Sequence, residues 1–287
     1  MGKTLYMPKG KPRERILGYG GSGAGKSKAW LDIAQALLES DIDGDFYVLD
    51  TDYATERMLY DGYPDLVESG RINLTVPYDG WEDYVAFGKM IKKNMGDGDW
   101  AVVDLMDVSW EEAQNHYSNE VYGEDKGDYF VSRRKAMKNP AKENLFEGFT
   151  DWNVIKPLYD SFSKAVFYTH RGHTFVTAGA AAVSRGGGSF GDSKEVISTF
   201  GHVGLKPTGN KRLMHNVHTA ILFTQDKKGW KITTAKDRER EMLKNDDVDN
   251  FAYDYLRDVA GWKEDGVKKK KKMTVAERKA AQKKKRK

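Results

Sequence analysis

The chain has 287 residues, 39% of them hydrophobic and 12% aromatic, enough to bury one sizeable α/β core with an appendage or two small cores. It has no cysteine, which excludes disulfides and thiolate-bound metals, and its most apolar run, residues 174–183, is too short and too rich in Ala and Gly to span a bilayer. The formal net charge of +4 conceals a division: residues 267–287 hold twelve Lys and Arg against one acid, Glu277, a local charge of +11, while the preceding 266 residues carry −7. A reducing, cytoplasmic compartment is therefore expected, with no membrane partner, and the N-terminal residues lack the apolar stretch of a secretory signal.

Residues 1–15 are polar and punctuated by Pro8 and Pro12, so they are expected to form an arm. Residues 16–19 read as a short apolar strand that runs into a glycine-rich loop. After Lys26 the apolar residues Ala29, Trp30, Ile33, Ala34, Leu37 and Leu38 recur at helical spacing. Residues 46–49 form a second buried-type strand ending in Asp50-Thr51-Asp52. Residues 72–76 are a third strand, 81–95 a helix, and 100–104 an apolar strand that ends in Asp104, with a helix from Ser109. Residues 115–150 break this rhythm and read as an insertion or lid. The alternation resumes with a helix near 154–168 and a strand at 174–178. A Gly-, Ser- and charge-rich stretch, 184–212, leads to strands at 218–224 and 230–234, joined by a hairpin turn. No internal repeat is evident. Alternating strands and helices imply an α/β fold with a mostly parallel sheet flanked by helices and an antiparallel edge hairpin.

The strongest chemical signal is Gly20-Gly21-Ser22-Gly23-Ala24-Gly25-Lys26-Ser27, a complete Walker A loop between a strand and a helix. In such a loop consecutive backbone N–H groups, aimed by the positive end of the helix, surround phosphates. Lys26 reaches the β and γ oxygens and Ser27 offers its hydroxyl to Mg²⁺. Asp104 is expected on the same sheet edge, because parallel strands deliver their carboxyl ends together, and there it would support the metal. His170 and His173 have no acidic partners at ligand spacing and read as a polar turn.

These features in their order, with Lys236-Asp237-Arg238 after the last hairpin, resemble the RecA-like P-loop NTPase core. The similarity is nearest to small phage-encoded RecA-core ATPases of single-strand annealing and recombination, among the AAA-type phage nucleotide-binding proteins, and it covers roughly residues 16–240. The resemblance implies a DNA-stimulated ATPase that uses ATP and Mg²⁺. It puts Asp52 in the place of the acid that activates water, although the family usually has glutamate there, so Glu56 one turn on is the other candidate. It gives Lys236 and Arg238 the role of a finger that touches a neighbouring subunit's γ-phosphate, hence a homo-oligomer, ring or filament. It also places the contacts to single-stranded DNA in residues 184–212, with Arg185, Lys194, Lys206, Lys211 and Arg212 on phosphates and Phe190 or Phe200 stacking on bases. Other phage recombination or replication proteins are possible partners.

The expected organisation is an arm (1–15), an ATPase domain (16–262) and a basic tail (263–287). A capping-box pattern, Thr274-Val275-Ala276-Glu277, sits within that tail, and its lysines suit non-specific phosphate contacts. Two rival functions remain open from sequence. One is a nucleotide or small-molecule kinase, for which Arg133-Arg134 would be the lid arginines. The other is a scaffold that binds ATP to assemble without hydrolysing it.

Overall fold

Strands that are apolar on both faces need helices above and below them, and the chain supplies these in alternation. In chain order, the computed structural model forms β1 (Arg15–Gly20), α1 (Lys26–Glu39), β2 (Phe46–Asp50), α2 (Thr55–Gly62), α3 (Pro64–Ser69), β3 (Ile72–Thr75), α4 (Trp81–Asn94) and β4 (Trp100–Asp104). There follow α5 (Met106–Tyr122), α6 (Lys126–Ala136), α7 (Trp152–Tyr168), β5 (His173–Ala178), β6 (Ala180–Ala182), α8 (Lys194–Phe200) and β7 (Leu205–Pro207). The chain continues through α9 (Leu213–Asn216), β8 (Thr219–Asp226), β9 (Gly229–Lys236), β10 (Asp246–Asp247) and a π-helical turn, Ala252–Arg257. The structure describes residues 13–138, 146, 150–186, 191–227, 229–238, 246–247, 251–258 and 261–268.

The strand order is β10-β9-β8-β1-β5-β4-β2-β3. Strands β8 through β3 in that order pair in parallel, and β9 and β10 close the edge antiparallel. In this order β5 lies between β1 and β4. Two apolar layers cover the sheet. One joins α1 and the π-helical turn through Trp30, Ile33, Phe251 and Leu256. The other joins α4, α5 and α7 through Phe87, Met106, Tyr159 and Phe162. Among the described residues no helix is long and apolar enough to cross a membrane.

Four places differ from the sequence reading. Helix α5 starts at Met106 and continues to Tyr122, so the first part of the expected insertion extends a core helix. Beyond it α6 folds back: Tyr122 stacks on Tyr129 at 4.0 Å, and buried Asp151 accepts from Tyr117 Oη at 2.8 Å and Tyr122 Oη at 3.1 Å. Aromatic side chains with a shared carboxylate thus make a small core where the charge pattern suggested a lid. Residues 139–145 and 147–149 of the insertion lie outside the described residues. The stretch 184–212, read as lacking clear structure, contains α8, capped by the Ser193 side chain, and β7, which pairs with β6. His173 stacks on Trp100 at 4.6 Å and accepts from Glu14 N, so it belongs to the packed interior rather than to a polar turn. Finally, residues 263–268 pack against α1: Val267 is buried, and Lys268 N donates to Ser40 Oγ at 3.1 Å.

Trp100 anchors the lower half of the sheet. Its fully buried ring stacks on Phe46 at 5.8 Å and on His173 at 4.6 Å, and meets Trp262 edge-on at 5.6 Å. Trp100→Ala is expected to cost about 3–5 kcal/mol, since it removes an aromatic core side chain and leaves a cavity. Equilibrium denaturant unfolding measures this as a lower midpoint.

Candidate phosphate-binding site

Strand β1 ends at Gly20, and α1 begins six residues later at Lys26. The turn between them depends on glycine. Gly23 and Gly25 have φ of 71° and 93°, in the left-handed region, and a Cβ on Gly20 would lie 2.2 Å from the Phe223 carbonyl oxygen. Helix α1 has no side-chain cap and no acid in its first turn, so its leading N–H groups are left to an anion. Lys26 Nζ donates to the carbonyls of Gly20 (3.2 Å) and Gly21 (2.9 Å), which holds the ammonium inside the loop. Trp230, at the start of β9, covers the loop from outside: its indole N–H donates to Gly23 O at 3.1 Å.

The neighbouring strand ends supply carboxylates. Asp50 and Asp104 are register partners on β2 and β4, both buried. Asp104 Oδ2 accepts from the Trp30 indole at 3.1 Å, and Asp104 Oδ1 accepts from the Thr177 hydroxyl. Burial pushes the Asp104 pKa up, and the Thr177, Ser27 and Trp30 side chains pull it back. The start of α1 and the acid at the end of β4 thus lie near one another although Ser27 and Asp104 are 77 residues apart in sequence. Thr51 ties the same edge: its N–H and hydroxyl donate to Asp104 O at 2.6 and 3.0 Å, and its hydroxyl accepts from Leu105 N.

Asp50 Oδ2 accepts from Thr55 N at 2.9 Å, whereas buried Asp50 Oδ1 has no donor from backbone or any ordinary side-chain donor among the described residues. Asp52 lies against it. Partial burial, a hydrogen bond with Asp50, and the charges of Asp104 and Asp50 push the Asp52 pKa up to about 7. Two ionised carboxylates cannot satisfy one another, so this pair is relieved by a proton on Asp52 or by a cation. That chemistry, with the Ser27 hydroxyl beside Asp104, fits a hard divalent cation such as Mg²⁺. Glu56 is exposed in the first turn of α2.

The remaining candidates lie elsewhere. Lys236 pairs with Ala220 at the far end of β9, on the sheet edge opposite the loop. Its ammonium donates to Met214 O and to Val217 O at 3.0 Å, and burial lowers its pKa. Arg238, just beyond, is exposed. In the 184–212 segment Lys194 and Lys211 are exposed, and Arg185 donates to Gly201 O at 2.9 Å. Lys206 pairs with Asp192, and Arg212 with Asp160 at 2.7 Å. Phe200 is buried and packs edge-on against Tyr19 at 5.7 Å, so it cannot stack on a base; Phe190 lies outside the described residues. The sequence reading missed Trp30, Thr51, Thr177 and Trp230. Trp30 looked like one more apolar position of α1, and nothing local marks its indole as a donor to Asp104.

No protein-family model and no curated protein matches the chain. Among solved structures it is similar to the RadB recombinase, at 15% identity over 81% of this chain and 84% of that chain, with a TM-score of 0.46. It is also similar to a KaiC-like protein from the hyperthermophilic archaeon Pyrococcus horikoshii OT3, at 13% identity over 82% and 84%, with a TM-score of 0.43. The class is defined by the chain's own topology and site: a mostly parallel α/β sheet flanked by helices, with a glycine loop before α1 and a buried acid at the end of β4. Within that class this chain has an aspartate at 52 and a tryptophan over the loop.

The Asp50 and Asp52 pair gives a pH signature. Because the folded-state pKa of Asp52 is raised from 3.8 to about 7, its contribution to stability is complete below the unfolded value and is lost as pH rises through about 7. Without nucleotide, the melting temperature of the wild type is expected to fall between pH 5 and 8 relative to Asp52→Asn. Parallel curves in a fluorescence melting series would show that no proton is shared there.

Proposed function

We propose that the chain binds ATP with Mg²⁺ and hydrolyses it, as an oligomer that acts on single-stranded DNA in phage recombination, annealing or replication. The observation that carries this reading is the glycine loop, with Lys26 held on its Gly20 and Gly21 carbonyls, followed by a helix whose Trp30 indole grips the wholly buried Asp104 at 3.1 Å. The loop N–H groups and the start of α1 receive the phosphate oxygens, and Lys26 exchanges its loop carbonyls for the β and γ oxygens. Ser27 and Asp104 would hold Mg²⁺, which when bound offsets charge on the transferring phosphoryl group. Asp52 accepts a proton from the attacking water, and a pKa near the working pH suits a general base. Glu56 is the alternative acid.

Lys236 and Arg238 stand on the opposite sheet edge, and Arg238, since the Lys236 ammonium is held by the Met214 and Val217 carbonyls, is the one that would serve a neighbouring protomer. Strand β9 runs eight residues, from Gly229 near the loop to Lys236, or roughly 23 Å at about 3.3 Å per residue. Contacts to DNA fall to Arg185, Lys194, Lys206, Lys211, Arg212 and Phe190, with the basic tail adding sequence-independent phosphate contacts. A scaffold that binds without hydrolysis is the second reading, favoured by the raised pKa of Asp52, since an acid that keeps its proton cannot take one from water. Phosphate release from the wild type, with and without single-stranded DNA, separates the two.

Lys26→Ala is expected to weaken ATP binding at least about 100-fold, the scale of losing charged hydrogen bonds worth about 1.5–3 kcal/mol each. Arg238→Ala is expected to bind ATP normally and lose hydrolysis. Mixed with Lys26→Ala it regains part, since each variant lacks a different half of a shared site; calorimetry and phosphate release give both readouts.

The tail is tested by truncation after Lys268, which spares buried Val267. If about half of the removed cations engage single-stranded DNA, the slope of log affinity against log salt flattens by about 4 units, at about 0.7 per phosphate. Equal slopes in a fluorescence-anisotropy salt series would remove the tail from DNA binding.

A further inference from the structure

We propose that Arg15 is a second cation, beside Arg238, which one protomer presents to the phosphates bound in its neighbour's loop; this rests on the shared-site reading above. Sheet register brings the two residues together. Ala220 on β8 faces Leu17 of β1 on one side and Lys236 of β9 on the other. The start of β1 and the end of β9 therefore meet at the edge opposite the glycine loop, and His218 N donates to Arg15 O at 2.9 Å to fix that junction.

The Arg15 guanidinium is held in a built position. It lies 4.7 Å from the centroid of the Tyr168 ring. Tyr168 Oη in turn donates to Asn216 Oδ1 at 3.1 Å, and Asn216 Nδ2 donates to Ser163 Oγ at 3.0 Å. Arg13 stands beside it, with Nη1 on His170 O at 2.8 Å. Among the described residues no carboxylate pairs with Arg15 or Arg238. Burial first lowers the Arg15 pKa, Tyr168 pulls it back, and the nearby Arg13 and Arg238 lower it further, so like charges crowd there. An anion of high charge density relieves that crowding.

That anion is not the chain's own nucleotide. Strand β1 separates Arg15 from Gly20 by five residue steps, roughly 17 Å at about 3.3 Å per residue, farther than an arginine side chain reaches. Nor is Lys236 free to share the work with Arg238, because its ammonium is committed to the Met214 and Val217 carbonyls. Arg15 occupies the role that Lys236 leaves, and its planar fork on a fixed ring suits phosphate oxygens better than a lysine would.

The test is complementation. Arg15→Ala is expected to bind ATP with wild-type affinity, because its own loop is intact, and to lose about 100-fold in hydrolysis, the scale of removing one transition-state donor. Adding Lys26→Ala, which keeps Arg15, is expected to restore part of that rate. Arg15→Gln, of similar length, gives the same readings if the alanine variant fails to fold. Wild-type hydrolysis by Arg15→Ala or Arg15→Gln, while Arg238→Ala remains rescuable, overturns the proposal and leaves the shared site standing. Loss of activity that Lys26→Ala cannot rescue, beside an Arg238→Ala that it can, assigns Arg15 a role within its own protomer and also overturns it. If neither variant is rescued, the shared site itself fails. If hydrolysis per bound strand is unchanged and only DNA affinity drops, Arg15 meets nucleic-acid phosphates instead.

Discussion

A carboxylate with no exposure to water has to be held by donors, and Asp104 is held by two that come from separate parts of the chain. Trp30 brings α1 and Thr177 brings β5, and the Ser27 side chain, in the first turn after the glycine loop, adds to the pull on its pKa. Because β5 lies between β1 and β4, the Thr177 hydroxyl sits beside Asp104. Removing either donor would leave a buried acceptor short, at a cost of about 1–3 kcal/mol. Fold and site are therefore specified by the same hydrogen bonds.

What could be read from sequence followed from local pattern. The glycine loop is a fixed spacing, and the apolar runs at β1, β2, β4 and β5 alternate with helical stripes, so the parallel sheet and the edge hairpin were both legible. Asp104 was legible because it terminates such a run. The partners of Asp104 were not, since an indole in a helix and a threonine in a strand carry no mark of what they will face. The region after Asn115 misled for a different reason. Its charges and aromatics lack a core-facing period, yet Tyr117, Tyr122 and Tyr129 pack around Asp151 and make a small core of their own. Phe200 failed in the opposite direction, as an aromatic in a polar segment that turned inward under Tyr19.

The two edges of the sheet carry opposite chemistry. At the carboxyl edge three aspartates, 50, 52 and 104, lie near enough to act on one another's charge. At the other edge Arg13, Arg15 and Arg238 stand without acidic partners among the described residues. Parallel strands keep those edges about a strand length apart within one protomer, so neither edge can satisfy the other. The same separation explains why the net charge of the whole chain says little about its contacts.

Trp230 has a practical consequence. Of the seven tryptophans, Trp30, Trp81, Trp100 and Trp262 are buried, Trp110 and Trp152 are half-buried, and Trp230 is 45% exposed. A soluble quencher such as iodide therefore reaches one indole ahead of the others. That indole is bonded to the carbonyl of Gly23, in the middle of the glycine loop. The chain carries an intrinsic fluorophore bonded to its own glycine loop, and the quenchable fraction of its emission reports any change in that contact without a label.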